Sequence, residues 1–99
     1  MNQYYEAILQ LRPESKEVLD FIKIQLNKRK DVFISKKINL DTGSDIYLSS
    51  QRFAKALGMH LKKRFKGEIK ITSSLYGISK KSGKRLYRLT VLFRLKKTL

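Results

Sequence analysis

The chain has 99 residues, of which 41% are hydrophobic, so it is long enough for one folded domain with a single core. It contains no run of about 18 uncharged apolar residues, which a transmembrane helix needs. The first ten residues, MNQYYEAILQ, carry an acid where a signal peptide carries cations, so we expect a cytoplasmic protein. Cysteine is absent and there is one histidine. This composition excludes disulfides and thiolate catalysis and leaves almost no ligands for a transition metal, so we expect no metal and no cofactor.

The formal net charge is +15, and it lies almost entirely in the second half of the chain. Residues 1–45 contain eight Lys and Arg against seven Asp and Glu, whereas residues 46–99 contain fifteen against one, Glu68. A half-chain this basic repels itself when it folds, so the asymmetry favours a polyanionic partner, and nucleic acid is the natural one. A basic surface that serves only solubility is the alternative, but solubility alone does not require the asymmetry.

The first part of the chain predicts a strand, a helix and a second strand. Residues 3–12 alternate as a strand does, and one face carries Tyr5, Ala7, Leu9 and Leu11. Pro13 suits the first position of a helix, because its missing N–H has no helical partner there, and this helix is expected to end near Lys30. Its first turn contains Glu14 and Glu17, and Lys28, Arg29 and Lys30 lie at its end, where cations complement the helix dipole. Its buried stripe comprises Val18, Leu19, Ile22 and Leu26. Residues 32–40 form the second strand.

The middle of the chain predicts a hairpin turn followed by a second helix. Residues 41–44 read as the turn, since their glycine supplies the positive φ that many hairpin loops need, and a third strand follows over residues 45–49. Ser49 or Ser50 is the expected N-cap of the second helix. Gly67 is its expected C-cap, in the left-handed conformation that glycine adopts there.

This second helix has two unlike faces. At about 100° per residue, its apolar arc comprises Phe53, Ala54, Leu57, Leu61 and Phe65. The opposite arc contains Met59 and five cations: Arg52, Lys55, Lys62, Lys63 and Lys66. One face would pack on a core, and the other presents a row of positive charge of the kind that binds a polyanion.

The last part of the chain predicts two strands, over residues 68–77 and 86–95, joined by the loop SKKSGKR. On the final strand, Arg88 and Arg94 share one face, and the other face carries Tyr87, Leu89, Val91, Phe93 and Leu95. The element order is then strand, helix, strand, strand, helix, strand, strand. We therefore predict one compact α+β domain over residues 1–99, a two-layer sandwich in which two amphipathic helices cover one face of a mostly antiparallel five-stranded sheet.

The loop between the last two strands is a second candidate RNA-binding element. Its cations, which sit at a hairpin tip as phosphate-binding side chains often do, are Lys80, Lys81, Lys84 and Arg85. An ordinary solvated turn rich in lysine is the alternative. Arg88 is expected to extend the patch, together with Arg94, where their strand face is open.

The tyrosines allow two interpretations. They could be base-stacking platforms on an open sheet face. They could equally be half-buried sheet residues whose hydroxyls find polar partners. The tyrosines in question are Tyr4, Tyr47, Tyr76 and Tyr87. The paired aromatics of the RNA-recognition motif are missing. Phosphate contact is therefore the prediction, and sequence-specific base readout is not supported.

An enzymatic interpretation rests on Asp41-Thr42-Gly43, which follows an apolar residue as the catalytic loop of an aspartic protease does. That mechanism needs two carboxylates, one from each of two copies. The two long predicted helices and the lack of a glycine-rich flap argue against it, and a hairpin turn is the simpler interpretation. His60, on the flank of the second helix, has no nucleophile or acid partner in the pattern. We assign no catalytic residues and expect neither enzymatic activity nor a small-molecule substrate.

Three segments resemble, in order, one domain of the nonsense-mediated decay protein 3 family: YYEAILQLR (4–12), DIYLSSQRFAKALGMHLKKRF (45–65) and SLYGISKKSGKRLYRLTVLFRL (74–95). The eukaryotic members resemble export adaptors for the large ribosomal subunit, and the chain looks more like the simpler archaeal members. The resemblance implies the domain that follows the family's cysteine-rich zinc region, as part of a larger architecture. Zinc binding is not carried over, because this chain has no cysteine. Binding to an export receptor is not carried over either, because the family's downstream domains and nuclear export signal are not found in this sequence.

Charge and resemblance together predict a non-enzymatic domain that binds ribosomal RNA or the large ribosomal subunit during assembly or quality control. The expected contacts are phosphates, held by the basic helix face and the basic hairpin tip. The alternative is a protein-interaction module whose basic face docks an acidic or ribosomal protein. An aspartic protease subunit using Asp41 is a weaker alternative, and no membrane contact is expected.

Overall fold

The computed structural model describes residues 4–96, and its elements follow the predicted order. The helices and strands are β1 (Ala7–Arg12), α1 (Lys16–Asn27), β2 (Ile34–Leu40), β3 (Gly43–Leu48), α2 (Gln51–Arg64), β4 (Gly67–Ile78) and β5 (Arg85–Leu95). The predicted α+β class with two helices and five strands is confirmed.

The five strands form one sheet in the order β2-β3-β1-β5-β4. Three of the neighbouring pairs are antiparallel, and the central pair, β1 with β5, is parallel. The mostly antiparallel sheet is therefore confirmed, with one parallel pair at its centre. Helix α2 connects β3 to β4 and so passes the two strands between them, β1 and β5, which places it over the middle of the sheet.

Both helices lie on the same side of the sheet, and the hydrophobic core lies between the helices and the sheet. Alternate residues of β1 are fully buried against α2, because side chains at every second strand position share a face. The largest fully buried side chains are Leu9, Leu11, Val18, Ile22, Ile46, Leu48, Leu57, Leu61, Val91 and Phe93. The β1 residues on the other face, Ile8, Gln10 and Arg12, are only half-buried. Among residues 4–96, no helix covers that face, which is called the open face below.

The start of α1 differs from the prediction. The helix begins at Lys16 with Ser15 at the N-cap position, so Pro13 is not its first residue. Glu14 consequently lies outside the helix and pairs instead with Lys37 of β2, whose Nζ is 2.7 Å from Glu14 Oε1.

Two further local predictions were wrong. Gly67 does not cap α2, which ends at Arg64 with Phe65 in an extended conformation (φ −118°, ψ 147°). Gly67 instead begins β4 where the chain passes close to β5: a Cβ there would lie 2.6 Å from the carbonyl oxygen of Arg94. The alternation predicts Tyr5 on the same strand face as Leu9 and Leu11, which are buried. Its ring instead lies against Tyr47 on the open face, because the backbone bends just before β1.

The Glu14–Lys37 pair makes stability depend on pH. The hydrogen bond from Lys37 holds the pKa of the Glu14 carboxyl below its ordinary value. The pair therefore stabilises the fold above the unfolded pKa of Glu14, and this contribution is lost as the pH falls through the lower folded pKa. Both side chains are about one-third exposed, 34% for Lys37 and 32% for Glu14, so the contribution is at most about 1 kcal/mol.

Replacing Lys37 with alanine is expected to return the pKa of Glu14 toward its ordinary value in an NMR titration. The same variant should lose less stability than the parent protein on acidification. Lys36→Ala, one residue away on the opposite sheet face, is the matched control and should leave the titration of Glu14 unchanged. An identical Glu14 titration in both variants would show that the pair does not form in solution.

Candidate nucleic-acid interface

Two acceptors fix the N-terminus of α2 and so orient its outer face. Ser50 Oγ accepts a hydrogen bond from the backbone N–H of Phe53 at 3.1 Å, which confirms the predicted N-cap. Glu6 Oε1 accepts from the backbone N–H of Gln51 at 3.0 Å and places a carboxylate at the positive end of the helix. The Tyr4 hydroxyl donates to Glu6 Oε2, and this bond raises the pKa of Tyr4 to about 12.

The inner face of α2 packs closely on the sheet. Its buried residues are Phe53, Ala54, Leu57, Gly58 and Leu61, all on the predicted apolar side. At Gly58 the helix approaches β5 so nearly that a Cβ would lie 2.7 Å from Val91 Cγ1. Because this face is buried against the sheet, the opposite face of α2 points outward.

The outward face carries the predicted cations. Those on the helix itself are all exposed: Arg52, Lys55, Lys62 and Lys63. Met59 lies among them with 44% of its surface exposed. Lys66 comes after the helix has ended at Arg64, and it is exposed as well.

Arg64 is an exposed cation that the predicted site did not include, and its surroundings differ from those of Lys62 and Lys63. Together with Glu17 and Asp20 of α1, it lines a depression between the two helices. It therefore lies on the side of α2 that faces α1, beside acids rather than among the other α2 cations.

The hairpin tip is a closed turn between β4 and β5. Within it, the Ser79 N–H donates to the Lys84 carbonyl and the Gly83 N–H donates to the Ser79 carbonyl, both at 2.8 Å. Gly83 has φ +71°, a left-handed conformation that favours glycine. The four predicted cations of this element, Lys80, Lys81, Lys84 and Arg85, are all exposed. The turn therefore presents them on a backbone of defined shape.

The cations of α2 and those of the hairpin tip lie one after the other along the length of the molecule, because the N-terminus of α2 is near the tip. The side chain of Gln51, at the start of α2, donates to the carbonyl of Tyr87 near the start of β5. Past the other end of α2, the Lys96 N–H donates to the Lys66 carbonyl at 2.9 Å. Helix α2 thus runs along β5 with its N-terminus toward the hairpin tip, in a molecule 52 Å long and 25 Å wide.

Within residues 4–96, no ion pair neutralises the cations of these two elements. The ion pairs found within residues 4–96 join Arg12 to Asp45, Arg29 to Asp31, Lys37 to Glu14 and Lys96 to Glu68. None of these pairs uses a cation of the helix face or the tip. We call the nine residues Arg52, Lys55, Lys62, Lys63, Lys66, Lys80, Lys81, Lys84 and Arg85 the basic surface. Its charge is available for an external anion.

Arg88 and Arg94 lie apart from the basic surface, on the open face. Arg88 is half-buried, and its guanidinium stacks between the rings of Tyr5 and Tyr76. Arg94 is exposed and, with Arg12, lines a shallow depression of about 630 Å³. The sheet therefore separates both arginines from α2. Sequence reasoning also missed Lys36, which lies over the ring of Tyr47 on the open face.

The Asp41-Thr42-Gly43 segment has the geometry of a hairpin turn. Asp41 and Thr42 connect β2 to β3, and Gly43 is the first residue of β3. In the part of the chain that the structure describes, no group of three or more His, Asp or Glu could hold a metal ion. Within the same residues, no helix has the length and apolar character needed to cross a membrane.

The fold and the unpaired cations define a small, strongly basic α+β domain whose exposed charge suits a binding role. Residues 4–95 match the family model described as NMD3, second domain, so the chain belongs to that family, and the resemblance seen in the sequence is confirmed. A comparison with curated proteins gave no match. The family is one of non-enzymatic adaptors in ribosome biogenesis and export.

Proposed function

We propose that this domain binds the large ribosomal subunit in the cytoplasm, during subunit assembly or quality control, and that it does so by contacting RNA phosphates through the basic surface. The observation that carries the proposal is the exposure of all nine cations of this surface without an ion-pair partner in residues 4–96. Unpaired lysines and arginines on a rigid helix and a closed turn bind phosphates and release counterions.

The chemistry of this surface suits backbone contacts rather than base readout. Lysine, which predominates on it, acts as a point charge with a flexible stem, whereas base edges are read by side chains held in fixed positions. We therefore propose that the basic surface recognises the arrangement of phosphates on folded ribosomal RNA. It contributes affinity and orientation rather than sequence specificity.

A salt series tests this proposal. Binding of the domain to purified large subunits, to their naked RNA and to an unrelated folded RNA would be measured between low and physiological salt. If at least four cations contact phosphates, log affinity should fall with log salt with a slope of about −3 or steeper. A preference for the subunit over unrelated RNA would support the ribosomal role.

Two results would contradict the proposal in different ways. A steep slope without preference would leave a general RNA binder with no ribosomal role. Binding to subunits that is insensitive to salt and persists after nuclease treatment would instead favour a protein partner docked on the basic surface. Absence of binding to any RNA at low salt would overturn the proposed function altogether.

A further inference from the structure

A row of five side chains crosses the open face of the sheet, and each strand or its immediate extension contributes one of them. Lys36 Nζ lies 4.4 Å from the centre of the Tyr47 ring, and the ring of Tyr5 meets Tyr47 edge-on at 4.8 Å. Arg88 Cζ lies 3.9 Å from the centre of the Tyr5 ring and 4.1 Å from that of Tyr76. We call these residues the tyrosine row.

The contacts hold the row in one arrangement. Arg88 Nε donates to the backbone carbonyl of Tyr5 at 3.2 Å, so its guanidinium is anchored while its two rings stack on it. Strand pairing places Ile8 and Thr90 next to the row on the same face, with Thr72 beyond Thr90. These three side chains are smaller than tyrosine, so the rings of the row project beyond them.

Part of the row is accessible to a ligand. Tyr76 is 42% exposed and Lys36 is exposed, while Tyr5 and Tyr47 are half-buried. Burial and the nearby Asp45 carboxylate raise the pKa of Tyr47. Tyr47 is neutral at physiological pH, as tyrosine ordinarily is, and its ring offers an electron-rich face that stacks on bases and cations.

The charge on this face also suits a nucleic acid. Asp45 is neutralised by Arg12, whose Nη2 lies 2.7 Å from Asp45 Oδ1. Within residues 4–96 Lys36 forms no ion pair, and Arg88 contacts rings and a carbonyl rather than a carboxylate. Aromatic rings interleaved with unpaired cations are the combination by which proteins hold unpaired nucleotides, with bases on the rings and phosphates on the cations.

We propose that the tyrosine row binds a short unpaired segment of RNA, whose bases stack on Tyr76 and Tyr47 and whose phosphates are neutralised by Lys36 and Arg88. This inference rests on the proposed RNA binding and adds a second surface to it, on the other side of the sheet from α2. Arg88 is three residues from Arg85 of the hairpin tip, about 10 Å along an extended strand. One RNA strand can therefore leave the tip and continue onto the row.

The hairpin itself supplies a matched control. Tyr87 is 43% exposed, almost the same as Tyr76, but strand alternation places it on the opposite face with Leu89 and Val91. Replacing Tyr76 with leucine removes a ring from the row, whereas Tyr87→Leu removes an equally exposed ring from outside it. Tyr76→Phe retains the ring and removes only the hydroxyl.

The experiment measures binding of the whole chain to a single-stranded octauridylate and to an abasic ribose-phosphate octamer of the same charge. We expect the base-containing RNA to bind more tightly. Tyr76→Leu should weaken its binding between about fivefold and a hundredfold. Tyr76→Phe and Tyr87→Leu should bind like the parent protein. The salt slope should be the same in all three variants, because no phosphate contact is removed.

A spectroscopic readout separates stacking from a structural role. On addition of octauridylate, the ring protons of Tyr76 should shift upfield in NMR spectra, and those of Tyr87 should not. A Tyr47→Leu variant, checked for folding by thermal denaturation, provides a second ring on the row. Because Tyr76 is exposed, its replacement should leave the melting temperature nearly unchanged.

The outcomes distinguish this inference from the proposed function. If the chain binds ribosomal RNA but not octauridylate, or if Tyr76→Leu binds it like the parent protein, the tyrosine row is not an RNA site and the basic surface stands. Equal affinity for the base-containing and abasic octamers would likewise overturn the stacking. If octauridylate binds with the expected variant pattern but ribosomal subunits do not bind, the row stands and the ribosomal role fails.

Discussion

Replacing Lys62, Lys63 and Lys66 together with glutamate is expected to reduce binding to ribosomal RNA by on the order of a hundredfold or more. These residues are exposed, close together at the end of α2, and outside every ion pair of the described chain. Three lost phosphate contacts should also make the slope of log affinity against log salt shallower by about 2–3 units. Affinity across a salt series measures both effects.

The same replacement has a predictable effect on stability. Lys62 and Lys63 lie in the last turn of α2, where cations favour the negative end of the helix dipole, so glutamate there costs about 0.3–1 kcal/mol each. The buried face of the helix is untouched, and the domain should remain folded in thermal denaturation. Glutamine at the three positions removes the charge without the unfavourable dipole interaction, and it should still weaken binding.

A matched control keeps the change in net charge the same. Lys16, Lys23 and Lys30 are exposed cations in α1 or just after it, outside the basic surface. Changing these three to glutamate should leave most of the affinity intact. If this control binds as weakly as the α2 variant, net charge and not the face of α2 controls binding. If the α2 variant binds like the parent protein, that end of α2 is not part of the site.

Gly43→Ala is expected to destabilise the domain by at least about 3 kcal/mol, combining backbone strain with steric overlap. Gly43 has φ +155°, and a Cβ at this position would lie 1.8 Å from the carbonyl oxygen of Leu11 in the neighbouring strand. That oxygen belongs to the backbone of β1 at the centre of the sheet, so it cannot move aside as a flexible side chain would. In a domain of this size, the melting temperature should fall by more than about 12 °C.

Gly77→Ala is the internal comparison for this prediction. A Cβ at Gly77 meets no atom within 4 Å, and Gly77 does not have a positive φ. Its replacement should leave the melting temperature within a few degrees of the parent value. Equal stability of the two variants would mean that β1 and β3 are not packed as closely as the structure has them. The comparison also tests the interpretation of Asp41-Thr42-Gly43 as a structural turn, since here the glycine serves strand packing rather than catalysis.

The two surfaces give the domain an asymmetric arrangement. The basic surface lies along α2 and the hairpin tip, while the tyrosine row lies across the open face, on the other side of the sheet. If both proposals hold, folded RNA contacts the basic surface and an unpaired strand reaches the tyrosine row by way of the hairpin tip. The hairpin formed by β4 and β5 contributes the tip cations to the basic surface and Tyr76 and Arg88 to the tyrosine row.

Periodicity determined the elements and the outward face of α2. The alternation of Leu9 and Leu11, or of Val91 and Phe93, identifies strands because burial of one sheet face requires a period of two. The spacing of Phe53, Leu57 and Leu61 identifies a helix, because burial of one helix face requires a period of about 3.6 residues. The cations then lie on the opposite, exposed face of that helix. These patterns are local, so the order of elements and the exposure of the α2 cations (Arg52, Lys55, Lys62 and Lys63) followed from the sequence alone.

Tertiary structure decided what depends on contacts between distant segments. The parallel pairing of β1 with β5, and the separation of Arg88 from α2 by the sheet, depend on which strands become neighbours, which no local pattern records. In the sequence Gly67 resembles a helix cap. In the structure a glycine is needed there because the backbone carbonyl of Arg94, on the neighbouring strand, leaves no room for a Cβ. The tyrosine row unites residues from five segments, because pairing brings Lys36, Tyr47, Tyr5, Arg88 and Tyr76 side by side. Local periodicity predicts which face of a strand a residue occupies, but its neighbours on the adjacent strands depend on how the strands pair.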